Sequence, residues 1–224
     1  MARTQAPPGA QGFIPADAHG LDELKAAAPG CRGCELYEDA TQVVFGRGAA
    51  HARLVLVGEQ PGDIEDQHGL PFVGPAGRLL RDAVDDAGID PSVIYLTNTV
   101  KHFRFELRGR RRIHQTPGPA HIAACRPWLV AEFSLLKPDL VVALGATAAK
   151  ALFGPSFRVT RSRGELLPWP AAAQRPQDFP MAEARALATI HPSAVLRADD
   201  REAAYRGLVD DLKVAAAALA ERQA

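Results

Sequence analysis

Residues 109 to 120 read RGRRRIHQTPGP: a run of arginines, one histidine, then prolines. Lys101, Arg104, Arg108, Arg110, Arg111 and Arg112 fall within twelve residues, opposed by one acid, Glu106. That density of cations suits a nucleic-acid phosphate backbone. The imidazole of His114, two residues past Arg112, can serve as a nucleophile, a proton carrier or a phosphate contact. Cys31, Cys34 and Cys125 form a second set. An odd number of cysteines argues against a disulfide framework, and CRGC has metal-ligand spacing. By residue type alone the pair is open to zinc, iron–sulfur, redox chemistry or chance.

Four further segments carry polar groups that could meet a ligand. GEQPG (58–62) turns sharply after an apolar run and sets Gly58, Glu59 and Gln60 at its tip, with Asp63 just beyond. GLPFVGPAG (69–77) holds Phe72 in a glycine–proline loop, either as a packing plug or as a platform for a flat ring. Asn98 ends an apolar run; its amide can pair with a pyrimidine edge or close a turn. HPS (191–193) offers His191 as a donor and Ser193 at a helix-opening turn suited to phosphate. GxGxxG is absent, and GATAAK lacks the second glycine of a phosphate loop.

These segments need elements to hold them. Apolar runs predict strands at 52–58, 92–98, 138–145 and 184–191. Helical periodicity covers 21–29, 75–88, 119–138 (with Pro127 as a kink or break), 146–154 and 199–222. Residues 155–183, rich in proline and arginine, read as loop with a hairpin at most. Residues 1–20 read as a flexible lead-in and 21–224 as one domain. Alternating strands and helices predict a three-layer α/β/α sandwich around a four-stranded, mostly parallel sheet. Ligands bind beyond the carboxyl ends of such strands, where GEQPG, NTVKHF, GATAAK and HPS all converge. The arginine run leaves the second strand at that same edge. A charge run is most often a solvated face, but this placement favours phosphate.

The 224 residues suffice for one sizeable core, and 47% hydrophobic with 23% charged is ordinary for a globular domain. Lys+Arg and Asp+Glu both total 26, so any attraction to an anionic partner must come from local clustering. No apolar run is long enough to cross a membrane, and the N-terminus lacks a secretory apolar centre. The chain is expected to be cytoplasmic, monomeric and without a membrane partner.

Taken in order, GEQPG, ED, GLPFVGPAG, TNTVKHF, ACRPWL, LGATAA and HPS resemble the uracil-DNA glycosylase superfamily over about residues 21–215. The nearest branch is the iron–sulfur family 4. Two departures stand out. Family 4 has a cysteine where this chain has His102, and it moves quickly to an NRTP-like turn where this chain inserts RGRRRIH. Both features are similar to the UDG-X class, which becomes covalently attached to uracil-containing DNA through the histidine of its arginine-rich loop.

The resemblance implies a [4Fe–4S] cluster on Cys31, Cys34, Cys125 and His102, with His121 as the alternative fourth ligand and zinc open by ligand type. It implies uracil-containing DNA as partner, with single strands preferred. His114, Glu59, Gln60 and His191 would be catalytic. Phe72, Asn98, Gly58, Asp63 and Ser193 would bind substrate, and Lys101, Arg110, Arg111 and Arg112 would grip DNA. Uracil would flip into the pocket, stack on Phe72 and be read by Asn98. His191 would donate to O2, and His114, oriented by Glu59, would take the sugar carbon. Arg112 would set the loop's position. A turnover glycosylase and a non-cutting sensor of uracil in DNA are the alternatives.

Overall fold

The computed structural model describes residues 7–169 and 184–222. The first half of the chain gives α1 (Leu21–Ala27), α2 (Leu36–Asp39), β1 (Arg47–Gly48), β2 (Leu54–Gly58), α3 (Asp63–His68), α4 (Pro75–Asp86) and β3 (Ile94–Asn98). Then come β4 (Phe105–Arg108), β5 (Arg111–His114), α5 (Pro119–Leu136), β6 (Leu140–Leu144) and α6 (Gly145–Phe153). The chain closes with α7 (Val159–Ser162), β7 (Leu167–Pro168), β8 (Arg185–Thr189), α8 (Pro192–Leu196) and α9 (Arg201–Glu221).

The sheet order is β1-β3-β2-β6-β8-β7. β3, β2, β6 and β8 run parallel, which are the four strands expected. Two residues of antiparallel strand, β1 and β7, extend each edge. They are too short to show periodicity, so only pairing reveals them. Along the central strands successive residues alternate between two cores. Leu54, Leu56, Val142 and Leu187 pack under α4, α8 and α9. Val55, Val57, Val141 and Ala188 pack under α5 and α6. Both faces are dry, which is why these runs are apolar throughout. Among the described residues no helix is long and apolar enough to cross a membrane.

Four expectations are corrected. The arginine segment is a β-hairpin, β4–β5, not a loop; Gly109 at its tip takes φ 62°, a turn conformation glycine adopts without cost. α5 runs through Pro127 as one helix. Its buried face, with Cys125, Trp128, Leu129 and Phe133, outweighs one missing hydrogen bond. The lead-in is tied down where it is described: Gly9 N–H donates to Gly33 O at 2.9 Å, Ala10 N–H donates to Ala124 O at 2.8 Å, and Ala10 is buried. Of the segment 155–183, α7 and β7 are seen; 170–183 lie outside the described residues, so the expected hairpin is only partly in view.

The fourth correction concerns Lys101. It does not face DNA. Its side chain is 1% exposed, and Nζ lies 2.6 Å from Glu132 Oε2, 2.6 Å from Thr97 Oγ1 and 3.0 Å from Asn98 O. Glu132 also accepts from Tyr95 OH at 3.0 Å and lies 3.0 Å from Thr97 Oγ1. This buried pair joins β3 to α5 directly beneath Asn98. Removing one partner strands a charge in a dry core. Lys101→Met should lower the unfolding free energy by about 3–5 kcal/mol in a urea titration. The double variant Lys101→Met/Glu132→Leu should recover most of that loss; equal instability of both would show that the ion pair is not what is being lost.

Candidate active site

A cavity of about 720 Å³ opens at the carboxyl edge of the sheet. Its walls come from the end of each central strand: Glu59 and Gln60 after β2, Asn98 on β3, Gly145–Thr147 after β6, and His191 and Ser193 after β8. Phe72, Glu65, His114 and Arg197 complete it. The residues expected on one edge do meet there.

One wall is shaped for a flat ring. Phe72 is buried and holds φ 56°, a left-handed conformation that costs an aromatic residue roughly 1–3 kcal/mol. The surroundings enforce it. Arg81 Nη1 donates to Phe72 O at 3.2 Å, and a Cβ on Gly77 would lie 1.8 Å from that same oxygen. The Phe72 ring stacks toward His191, with centroids 6.3 Å apart and planes at 29°. Gly58 supplies the floor: a Cβ there would come within 2.3 Å of Asn98 Oδ1 and 2.7 Å of Phe72 Cζ. Asn98 is buried, and its side-chain amide has no hydrogen-bond partner among the described residues, which leaves donor and acceptor free for a ligand.

His191 caps α8. Its Nδ1 accepts from Ser193 N–H at 3.1 Å and lies 2.8 Å from Ser193 Oγ. An accepting Nδ1 puts the proton of the neutral ring on Nε2, so His191 is a donor to the cavity. Burial pushes its pKa down to about 4, and the charges of Arg197 and His114 add to this. Ser193 therefore sets the tautomer of His191.

His114 ends β5, half-exposed, with Nε2 3.4 Å from Glu59 Oε1. The other carboxylate oxygen accepts from Thr147 Oγ1, while Glu59 O accepts from Val100 N–H at 3.1 Å and Thr99 Oγ1 at 2.6 Å. Thr147 thus orients the carboxylate, while the other two bonds fix the Glu59 backbone. Burial lowers the His114 pKa, Glu59 opposes that, and Arg197 reinforces it.

Three expected site residues instead hold the hairpin. Gln60 is buried and spends its amide on backbone: Nε2 donates to Arg104 O and Gln115 O, both at 3.1 Å, and Oε1 accepts from Arg104 N–H at 3.1 Å. That leaves no group for activating water. Asp63 faces the hairpin: its Oδ1 is 2.5 Å from Arg112 Nε. Arg112 Nη1 also reaches Asp66 Oδ2 at 2.6 Å, and the guanidinium lies over the Phe105 ring at 5.1 Å. With its charge neutralised by two carboxylates, Arg112 anchors the hairpin and is not a free DNA contact. Arg110 and Arg111 stay exposed, without an ion-pair partner among the described residues.

Cys31, Cys34 and Cys125 are buried together with Trp128, Phe45 and Val100. Among the described residues no three ligating side chains stand close enough for a single metal ion. A cubane cluster binds each ligand through a different iron and so sets them wider apart. The donor chemistry fits one. Lys101 N–H donates to Cys125 Sγ and Trp128 Nε1–H to Cys31 Sγ, both at 3.3 Å, the kind of hydrogen bond that tunes cluster sulfur. Burial raises the Cys125 thiol to about 12 and also raises Cys34. His102 is buried and kept neutral, with its pKa lowered to about 4 by burial. His121 is spoken for: Nδ1 accepts from Gly118 N–H at 3.0 Å and Nε2 lies 2.7 Å from Glu35 Oε1.

Sequence reading missed Arg197, Thr147, Glu65 and Asp66. Thr147 lies in GATAAK, a segment already singled out by position, and Arg197 lies four residues past HPS, outside it. Glu65 and Asp66 are the ED of the resembling motif, but the role of Asp66 did not show, since its partners Thr41 and Arg112 are 25 and 46 residues away.

The carboxyl edge of this parallel α/β sheet thus holds a buried phenylalanine, an unpaired asparagine amide and a neutral histidine donor around one cavity, beside a basic hairpin. The family model of the uracil DNA glycosylase superfamily matches residues 45–213, and the chain belongs to that superfamily. It is 36% identical over 168 residues to a type-4 uracil-DNA glycosylase of Thermotoga maritima, covering 75% of this chain and 78% of that one. With the type-4 enzyme of Sulfurisphaera tokodaii the identity is 32% over 181 residues, covering 79% and 76%. With that of Archaeoglobus fulgidus it is 35% over 133 residues, covering 59% and 63%.

His191 makes stability depend on pH. Its folded pKa, about 4, lies below the ordinary 6.5, so between those values the unfolded chain binds the extra proton. Its contribution is complete above about pH 6.5 and is lost as pH falls toward 4. Thermal midpoints should drop across that window, and His191→Asn should drop less. Parallel curves for the two proteins would show that His191 is not buried as a neutral ring.

Proposed function

We propose that this protein is a uracil-DNA glycosylase that becomes trapped on its product through His114. The observation that carries the second half is the placement of His114 beside the oriented carboxylate of Glu59, at the mouth of the cavity. The target deoxyuridine leaves the stack and enters that cavity. Phe72 covers its face and the Asn98 amide meets its edge. As the C1′–N1 bond breaks, its electron pair passes to uracil, and His191 Nε2–H stabilises the charge gathering on O2.

Water attack is poorly served, because the Gln60 amide is committed to the hairpin. The imidazole of His114 presents a lone pair on the nitrogen that Glu59 does not hold. That pair forms the new C1′–N bond, and Glu59 balances the imidazolium charge that results. An alkylated imidazole is a poor leaving group, so the protein stays on the DNA. Arg110 and Arg111 meet phosphates and steer the strand. Cys31, Cys34, Cys125 and His102 would hold a [4Fe–4S] cluster. When bound, it would supply a tie between the N-terminal helices and the segment after β3.

The test is incubation with a single-stranded uracil-containing oligonucleotide, followed by a denaturing gel and an assay of free uracil. The wild type should give an SDS-resistant shifted band. His114→Ser should lose the band and still release uracil through slow water attack. A His114→Ser protein that still crosslinks would displace His114 from this role. Free abasic product without a shifted band in the wild type would mean ordinary turnover, and no free uracil would mean a binding module.

A further inference from the structure

Among the described residues two large apolar side chains are markedly exposed, Ile64 at 38% and Leu107 at 63%. Leu107 stands on the hairpin that bears His114. The ladder pairs Phe105 with His114 and Leu107 with Arg112. Directly paired residues share a face, as do alternate residues along a strand. Phe105, Leu107, Arg112 and His114 therefore project to the same side. Three of them find partners there. His114 faces Glu59, Arg112 binds Asp63 and Asp66, and Phe105 stacks on Phe103 with centroids 5.2 Å apart. Leu107 lies one pair farther out and overhangs into solvent. At about 3.4 Å per residue it is roughly 7 Å beyond the His114 row, within reach of the nucleotide next to the one His114 attacks.

The charge around it decides the partner. Arg108, Arg110 and Arg111 crowd the same tip, all exposed, opposed by Glu106 alone at 3.7 Å from Arg108. An apolar side chain ringed by guanidinium matches a strand that presents bases and phosphates together. It does not match an apolar protein patch, which would leave those cations without counter-charge. We infer that Leu107 is a base-contact residue: it packs on the base adjoining the flipped deoxyuridine while the surrounding arginines take the flanking phosphates. Two jobs follow. Leu107 fills space opened when the nucleotide flips, and it fixes which nucleotide faces His114. Apolar side chains perform the first job in other DNA-bending proteins.

The inference rests on the proposed placement of DNA at His114, and its test is separable from the crosslink. Oligonucleotides carrying 2′-fluoro-deoxyuridine, which resists glycosidic cleavage, are labelled with 2-aminopurine on either side of that residue. Wild-type protein should change the fluorescence on one side only. Leu107→Ala should lose that change and bind about tenfold more weakly, the scale of one apolar side chain packed on a base. Leu107→Met, apolar and of similar volume, should restore both. Because the ring of arginines is untouched, the salt dependence of binding should be the same in all three. If Leu107→Ala matches the wild type in fluorescence and affinity, Leu107 does not touch DNA and the tip serves a protein surface instead. Lack of an SDS-resistant band on ordinary uracil DNA would sink the His114 reading alone, because the fluorescence and binding signals need no covalent step.

Discussion

The site depends on the clamp between Arg112 and the two carboxylates of α3. A two-stranded hairpin has little stability of its own in water. Here it must hold an imidazole within a few ångströms of Glu59. Asp66 is fully buried and takes Thr41 N–H at 3.1 Å on both carboxylate oxygens as well as the guanidinium, so it is held from outside the hairpin as well as by it. Gln60 does the same at the base of the hairpin through three backbone contacts. Charge thus holds one end of the hairpin and amide hydrogen bonds the other, and both keep His114 beside Glu59. The arginines of the free tip stay exposed.

Electrostatics inside the cavity run in one direction. Burial disfavours charge on both histidines, and Arg197 adds positive potential that deepens the effect. His191 is thereby a neutral donor and His114 a neutral base. Glu59 is the counterweight: it favours positive charge on His114 alone, which is where positive charge would develop. Arg197 thus acts on both rings without touching either through a hydrogen bond in this structure, and its own guanidinium stays exposed at the rim.

Beneath the ring slot lies a second, dry layer of charge. Lys101 connects three things: through Nζ to the carbonyl of Asn98 and to Glu132, and through its N–H to Cys125. The cysteine region and the backbone of Asn98 therefore share one residue. Cys125 and Asn98 are thus linked through hydrogen bonds to the same lysine.

Much of this was legible in the chain itself. The four apolar runs announced a parallel sheet because strands covered on both faces must be apolar at every position. The convergence of GEQPG, Asn98, GATAAK and HPS followed from that sheet, since parallel strands put their carboxyl ends together. Cys31 and Cys34 declared themselves by spacing. What the chain could not declare were relations between distant residues. Lys101 read as one more cation of a basic run until β3 turned it inward onto Glu132, 31 residues away. Arg112 read both as a DNA contact and as the residue that sets the loop's position, and only Asp63 and Asp66, opposite it, favour the second. Gln60 read as a catalytic polar group until its amide was found bracing backbone. Local periodicity reports which face of an element is dry, so it yields elements and their edge. A charge or amide takes its role from whatever stands opposite it, and only the folded packing of α3, α5 and the hairpin decided that.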